Sequence, residues 1–141
     1  LRGDTGICVD LVKGYHNLGI SSENGYIVPL DCGATGKTLL AAQSDELVER
    51  LIQNYPGLEE KLRNQVKEIR QRGYCISEGE VDEGVAAVAV PLPMPDHIYT
   101  LTYSGPVERL RGLDYMVLVH SLQQAVKNIL LKCDGKRKEA L

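Results

Sequence analysis

Val85-Ala-Ala-Val-Ala-Val-Pro-Leu92 carries no charged or hydrogen-bonding side chain over its whole length, and this constrains the fold more than any other segment. A short, nearly continuous apolar run bounded by turn residues reads as a strand buried on both faces. Pro93-Met-Pro-Asp96 supplies a tight connection, and Ile98 to Tyr103 reads as a second strand, so the two form an antiparallel hairpin in the middle of a sheet. A packed central strand usually prefers bulk, yet Ala86, Ala87 and Ala89 are small. One sheet face is therefore expected to leave room for a ligand.

The segments before this hairpin predict helices. Leu58, Leu62, Val66 and Ile69 recur at helical spacing, and Gly73 supplies a C-terminal stop. That face is expected in the core, with the Arg and Lys residues between them solvated. Ser44 is a natural N-cap for a helix over 45–54, with Asp45 and Glu46 in its first turn where the dipole favours them. Lys37 to Ala42 reads as a shorter helix. Nearer the start, residues 7–12 read as a strand, 13–17 as a turn and 18–20 as a returning strand, with a short extended piece at 26–28 ending at Pro29. A chain that enters a strand almost at once is expected to lack residues before Leu1. After the hairpin, a helix over 114–132 carries Met116, Val119, Val126, Ile129 and Leu130 on one stripe, expected to pack on the sheet or on a second subunit. Lys136-Arg-Lys138 reads as a solvated basic tail.

Composition removes several classes of function. The 141 residues make one ordinary domain, large enough to bury roughly two-thirds of the surface of its unfolded chain. No apolar run approaches the roughly 20 residues a membrane span needs, and no signal-peptide pattern opens the chain. Sixteen basic against nineteen acidic residues give a net charge of −3, the wrong sign for gripping phosphate backbones. Cys8, Cys32, Cys75 and Cys133 lie far apart without histidine at ligand spacing, so reduced cysteines in a cytoplasmic protein are expected, with no metal and no cofactor. Seven Tyr with no Phe or Trp offer few stacking surfaces, which favours a small polar ligand.

Three motifs mimic other functions. Gly33-Ala-Thr-Gly-Lys-Thr38 resembles part of a phosphate-binding loop, but that loop needs glycine where Asp31 stands, and an acid there repels triphosphate. Arg2-Gly-Asp4 matches an adhesion tripeptide that is common by chance. Cys32 beside a helix N-terminus could act as a nucleophile, since helix ends lower thiol pKa values. That role needs a base, and His16, His97 and His120 are expected in a turn, a connection and a helix.

The same loop supports another reading. The backbone N–H groups near Ala34, Thr35 and Gly36 have no partner within the helix and form an anion seat, worth about 0.3–1 kcal/mol to a carboxylate and up to about 2 when partly buried. The plainer alternative is an ordinary helix capped by Thr35. Pro29 to Ala41, then Arg72-Gly-Tyr-Cys-Ile-Ser77, Glu80, Gly84-Val85, Pro91 and Ser104-Gly-Pro106 resemble, in order and spacing over about 5–132, the effector-binding domain of IclR-type transcriptional regulators.

That resemblance implies an α+β, GAF-like fold, an antiparallel sheet with helices packed on it and a ligand cleft at a helix N-terminus. It implies a small-molecule effector, mostly small organic acids or aromatic metabolites in the family, held between the helix start and the sheet. By resemblance the backbone-binding pair falls on Ala34 and Thr35, beside Gly36. The polar position after Arg-Gly-Tyr falls on Ser77, and the strand positions on Ala87, Thr102 and Ser104. Cys32 and Ala89 would line the pocket. Thr102 and Ser104 alternate onto one strand face, so both hydroxyls can point at one group; a β-favouring Thr and a turn-proximal Ser explain the pair equally well. Ser77 stands where some relatives carry Asp, Ala87 where a relative has Cys, and the 93–96 connection is shorter than in the family. The resemblance further implies a homodimer or homotetramer, and DNA contact only through a winged helix-turn-helix domain that these residues do not contain. Residues 1–141 are then an effector-binding, non-enzymatic domain. Two other readings stay open, an enzyme using Cys32 and a ligand-free dimerisation module.

Overall fold

In a computed structural model that describes residues 1–14 and 23–139, the apolar run becomes the middle of a three-stranded antiparallel sheet. Its order is β3 (Cys75–Glu78), β4 (Val85–Pro93), β5 (Ile98–Pro106). Because strand side chains alternate, β4 serves two cores. Ala87 and Ala89 face one that holds Leu30, Leu40, Leu51 and Leu62, whereas Val88 and Val90 face the other, with Val119 and Leu122. Pairing with β3 ends at Cys75↔Ala89, so Pro91 and Pro93, which cannot donate to a ladder, fall where β4 is paired only to β5. The 93–96 connection closes through a Met94 N–H donated to His97 O at 3.0 Å.

The three small residues of β4 do not share a face. Ala86 is fully buried on the side opposite Ala87 and stands across from Gly105, where an added Cβ would lie 2.9 Å from Leu110 Cδ1. Gly105 is small because Leu110 sits close over it, and Ala86 points away from the α1 face. Leu110 belongs to α4 (Val107–Gly112), a six-residue helix that the periodicity did not reveal.

On the Ala87 side lie α1 (Gly33–Ala41), α2 (Asp45–Ile52) and α3 (Glu59–Arg72). Ser44 caps α2 by accepting the Leu47 N–H at 3.3 Å. Leu62, Val66 and Ile69 are buried, and Gly73 ends α3 with φ 78°, as the sequence predicts. Arg70 is not merely solvated: Nε donates to Ala41 O and Nη2 to Gln43 O, both at 2.7 Å, which satisfies orphan carbonyls at the end of α1.

α5 (Tyr115–Glu139) covers the other face. Its packed stripe is Tyr115, Val119, Leu122 and Val126, and Met116, expected to pack on the sheet or on a second subunit, is 38 % exposed here. Asp114, at φ 62°, caps the helix by accepting the Met116 N–H at 2.9 Å. The Glu78 carboxylate takes a bidentate pair from Arg111 (2.9 and 2.6 Å) and the Tyr115 hydroxyl, which ties β3 to α4 and α5. The Arg111 bonds, then the Tyr115 bond, hold that carboxyl down at about 2.

The early strand shrinks to β1 (Gly6–Ile7), and its partner is β2 (Ile27–Val28). Backbone bonds from Cys8 N–H to Tyr26 O and from Gly25 N–H to Cys8 O continue that pairing. The turn at 15–17 and the return at 18–20 lie outside the described residues. Among the described residues no helix is long and apolar enough to cross a membrane.

Candidate functional site

Strand register assembles one polar face. Ser77 stands opposite Ala87, which stands opposite Ser104; Cys75, Ala89 and Thr102 form the next row. Directly paired residues point the same way, so all six face α1. Two bonds fasten the helix start to this face: Ala34 N–H donates to Ser77 Oγ at 2.8 Å, and the Thr35 and Thr102 hydroxyls meet at 3.0 Å. Ser77 is buried, Thr35, Ala87 and Thr102 are half-buried, and Ser104 is exposed. Ala89 and Ala34 are wholly buried, and Cys32 at the N-cap is half-buried.

The helix begins at Gly33, ahead of the expected start, and neither Cys32 nor Thr35 caps it through a side chain. Its first donors are met from other elements. Gly33 N–H donates to Glu80 Oε2 at 2.9 Å and Ala34 N–H to Ser77, so the seat is already furnished with internal acceptors. Gly36 has a packing reason: a Cβ there would lie 1.6 Å from Pro29 O. What remains for a ligand is hydroxyl chemistry together with the Thr35 N–H, which these acceptors do not serve. Ser77 Oγ accepts and keeps its own proton to donate, the Thr35–Thr102 pair uses one of its two protons, and the Ser104 hydroxyl is accessible.

Glu80 is the residue that sequence reasoning underused. Its other oxygen accepts from Lys37 Nζ at 2.8 Å, and the Lys37 side chain is only 6 % exposed against 34 % for Glu80. The turn that carries Glu80 bends through Gly79 (φ 64°) and Gly84 (φ 82°), and Val81 from it lies against Gly33. Burial pushes the Glu80 carboxyl upward, but the bonds from Lys37 and the Gly33 N–H together prevail and hold it below the usual 4.5. A signal was present: a lysine at a helical position facing inward needs an acid, and Glu80 is an acid set between two glycines.

The Cys32 thiol is pushed above its ordinary 9.0, first by burial and then by Asp31 and Glu80. Nucleophilic use needs the opposite shift. Among the described residues no histidine bonds to it, and His97 and His120 are exposed on the hairpin connection and on α5. Alkylation of Cys32 by iodoacetamide at neutral pH is expected to run slower than that of free cysteine; a faster rate contradicts this geometry.

On the other flank of α1 a cleft of about 250 Å³ opens between α1, α3 and β3, lined by Lys37, Gln65, Ile69, Arg72, Tyr74 and Cys75 among others. Thr35 and Lys37 are two residues apart, about 200° around the helix axis, so slot and cleft lie on different sides of α1. The sequence reading did not anticipate this cleft.

An antiparallel sheet with helices on both faces, and a polar face where a helix starts against strand hydroxyls, defines a GAF-like domain. The same architecture recurs in the C-terminal domain solved from a Vibrio cholerae protein (TM-score 0.77, 24 % identity, 90 % of this chain and 80 % of that one). It recurs in an IclR transcriptional regulator from Alicyclobacillus acidocaldarius (TM-score 0.77, 24 % identity, 92 % and 56 %). The protein named "Probable transcriptional regulator SauR" of Cupriavidus necator is 34 % identical over 101 residues, 65 % of this chain and 40 % of its own length. The sequence pattern described as "Bacterial transcriptional regulator IclR C-terminal" matches residues 1–131, and the chain belongs to that family. It is an IclR-type regulator C-terminal domain, and it spans well under half the length of its curated relative.

Proposed function

We propose that this domain senses a small organic acid in the slot between α1 and β5, and that occupancy governs DNA binding by a winged helix-turn-helix domain elsewhere in the full regulator. The observation that carries this reading is the shared face of Ser77, Ala87, Thr102 and Ser104 beneath the start of α1. Hydroxyl donors without a facing acid suit a carboxylate, and the short Ala87 side chain between them would not obstruct one. Glu80 is neutralised by Lys37, so its charge does not oppose an anion.

The acid would enter by replacing the Thr35–Thr102 bond, its oxygens accepting from those hydroxyls, from Ser104 and from Ser77. Ala34, Gly36, Cys32 and Ala89 then shape the wall without donating. Parting α1 from β5 gives two states, and a ligand shifts their balance only by its difference in affinity for them. Two or four copies in a cytoplasmic regulator would transmit that balance to paired DNA-binding domains.

Thermal melting with a panel of small organic acids tests the reading. At about 100 times Kd an acid should stabilise the chain by about 2.7 kcal/mol. Thr102→Val and Ser104→Ala should each lower affinity about 10-fold, the worth of one charge-assisted hydrogen bond. A panel without any shift would leave the dimerisation-module reading in its place.

A further inference from the structure

The cleft on the Lys37 flank is separate from the slot, and its polar groups are unevenly served. Lys37 Nζ, buried in a side chain only 6 % exposed, donates to Glu80 and has two further protons. Across the cleft the Gln65 Oε1 atom is buried and has no hydrogen-bond partner among the described residues. Buried carbonyls are nearly always paired, so an orphan acceptor on a residue of the cleft wall marks a place where a donor belongs, within reach once the Gln65 side chain turns toward the cleft. Along the cleft stand one exposed cation, Arg72, and two exposed acids, Glu68 and Glu80, the second already paired with Lys37. Tyr74 and Ile69 complete the wall with apolar surface.

We propose that this cleft is a second ligand site, for a small α-amino acid or a similar zwitterion. The carboxylate would sit between Lys37 and Arg72, and the Gln65 amide would turn out so that the ammonium donates to its Oε1, with Glu68 nearby. The size agrees. About 250 Å³ falls below the roughly 300–1,000 Å³ of pockets for drug-sized ligands, which limits the occupant to a few heavy atoms. The site reaches β3 through Cys75 and α1 through Lys37, so an occupant would touch the two elements that the Ala34–Ser77 bond joins on the opposite side. The proposal stands without the organic-acid reading, because it shares none of the slot hydroxyls.

The test is amide-resolved NMR of the chain titrated with glycine and L-serine. Propionate and ethanolamine serve as probes that each keep one of the two charges. Saturable shifts of the Cys75 and Ile76 amides are expected by about 10 mM, well above the millimolar Kd that so few contacts sustain. Each single-charge probe should bind at least about 10-fold more weakly. Gln65→Leu, which removes the orphan acceptor and should fold at least as well, is expected to weaken L-serine binding about 10-fold or more. Thr102→Val should leave it unchanged, which separates this site from the slot. Three results overturn the proposal: no saturable shift with either amino acid, an equal response to propionate alone, or undiminished binding by Gln65→Leu. A lone water serving Gln65 gives the first of these.

Discussion

Gly36→Ala is expected to lower stability by about 3 kcal/mol or more, a large part of the roughly 5–15 kcal/mol that holds a domain of this kind together. The new Cβ would stand 1.6 Å from Pro29 O, 2.8 Å from Pro29 C and 3.1 Å from Leu30 Cα. These are backbone atoms, so no rotamer change relieves the contact. Either the entry strand must move off α1, or α1 must lift from the sheet and lose the Ala34–Ser77 and Thr35–Thr102 bonds. Gly112→Ala is the control, since nothing lies within 4 Å of a Cβ there and its φ is not positive; it should be neutral or gain up to about 1 kcal/mol. Urea midpoints at constant slope read both. Equal midpoints for the two variants would sink the argument.

The Lys37–Glu80 pair carries the next largest effect. Removing one partner of a fully buried pair costs about 3–5 kcal/mol, and because Glu80 is a third exposed the expected cost of Glu80→Ala is about 2–3 kcal/mol. The loss is twofold, for Lys37 keeps its burial without its acid and the Gly33 N–H loses its acceptor. Lys37→Met should cost less, as it removes the buried charge and leaves Glu80 partly in water. The pH dependence has a definite sign. The folded carboxyl titrates below its ordinary 4.5, so its contribution is whole above that value and drains away as pH falls through the lower folded one. The stability gap between the native chain and Glu80→Gln should therefore narrow on acidification. A gap that widens below pH 4.5 would falsify the assignment.

How much of this was legible beforehand differs between elements for physical reasons. The β4 run, the Leu62–Val66–Ile69 face, the Ser44 cap and the Gly73 stop follow from local periodicity and cap chemistry, which act within a few residues. The start of α1 was misplaced because its first donors are met by Ser77 and Glu80, residues 43 and 47 positions away. No local cap announces such a beginning. α4 escaped because six residues after a proline give too few turns for a period to emerge. Ala86 is as small as Ala87 and Ala89, but alternation turns it to the opposite face, across from Gly105 where Leu110 is seated.

At the site, resemblance supplied positions that register then set side by side, Ser77, Ala87 and Ser104 in one row and Thr102 in the next. It did not supply the state of the donors. Periodicity can place an amide at a helix start, but only the fold reveals that Ala34 is already bonded and that Thr35 and Thr102 hold each other. The Lys37 flank was hidden for a similar cause. Gln65 looks like any helix-surface residue, and its orphan carbonyl is a property of three elements meeting.

Among the described residues, 86–89 are the only part of the three-stranded sheet paired on both edges, and both faces there are covered by helices. Their amides should be among the last to exchange with deuterium, opening only when the whole domain does. Ala87 rides on that stretch, whereas Ser104 stands exposed on an outer strand and Glu80 on a turn. The slot thus has one wall as durable as the molecule itself and others that can loosen without it, so a ligand could slow exchange at the outer wall while leaving the central strand unaltered.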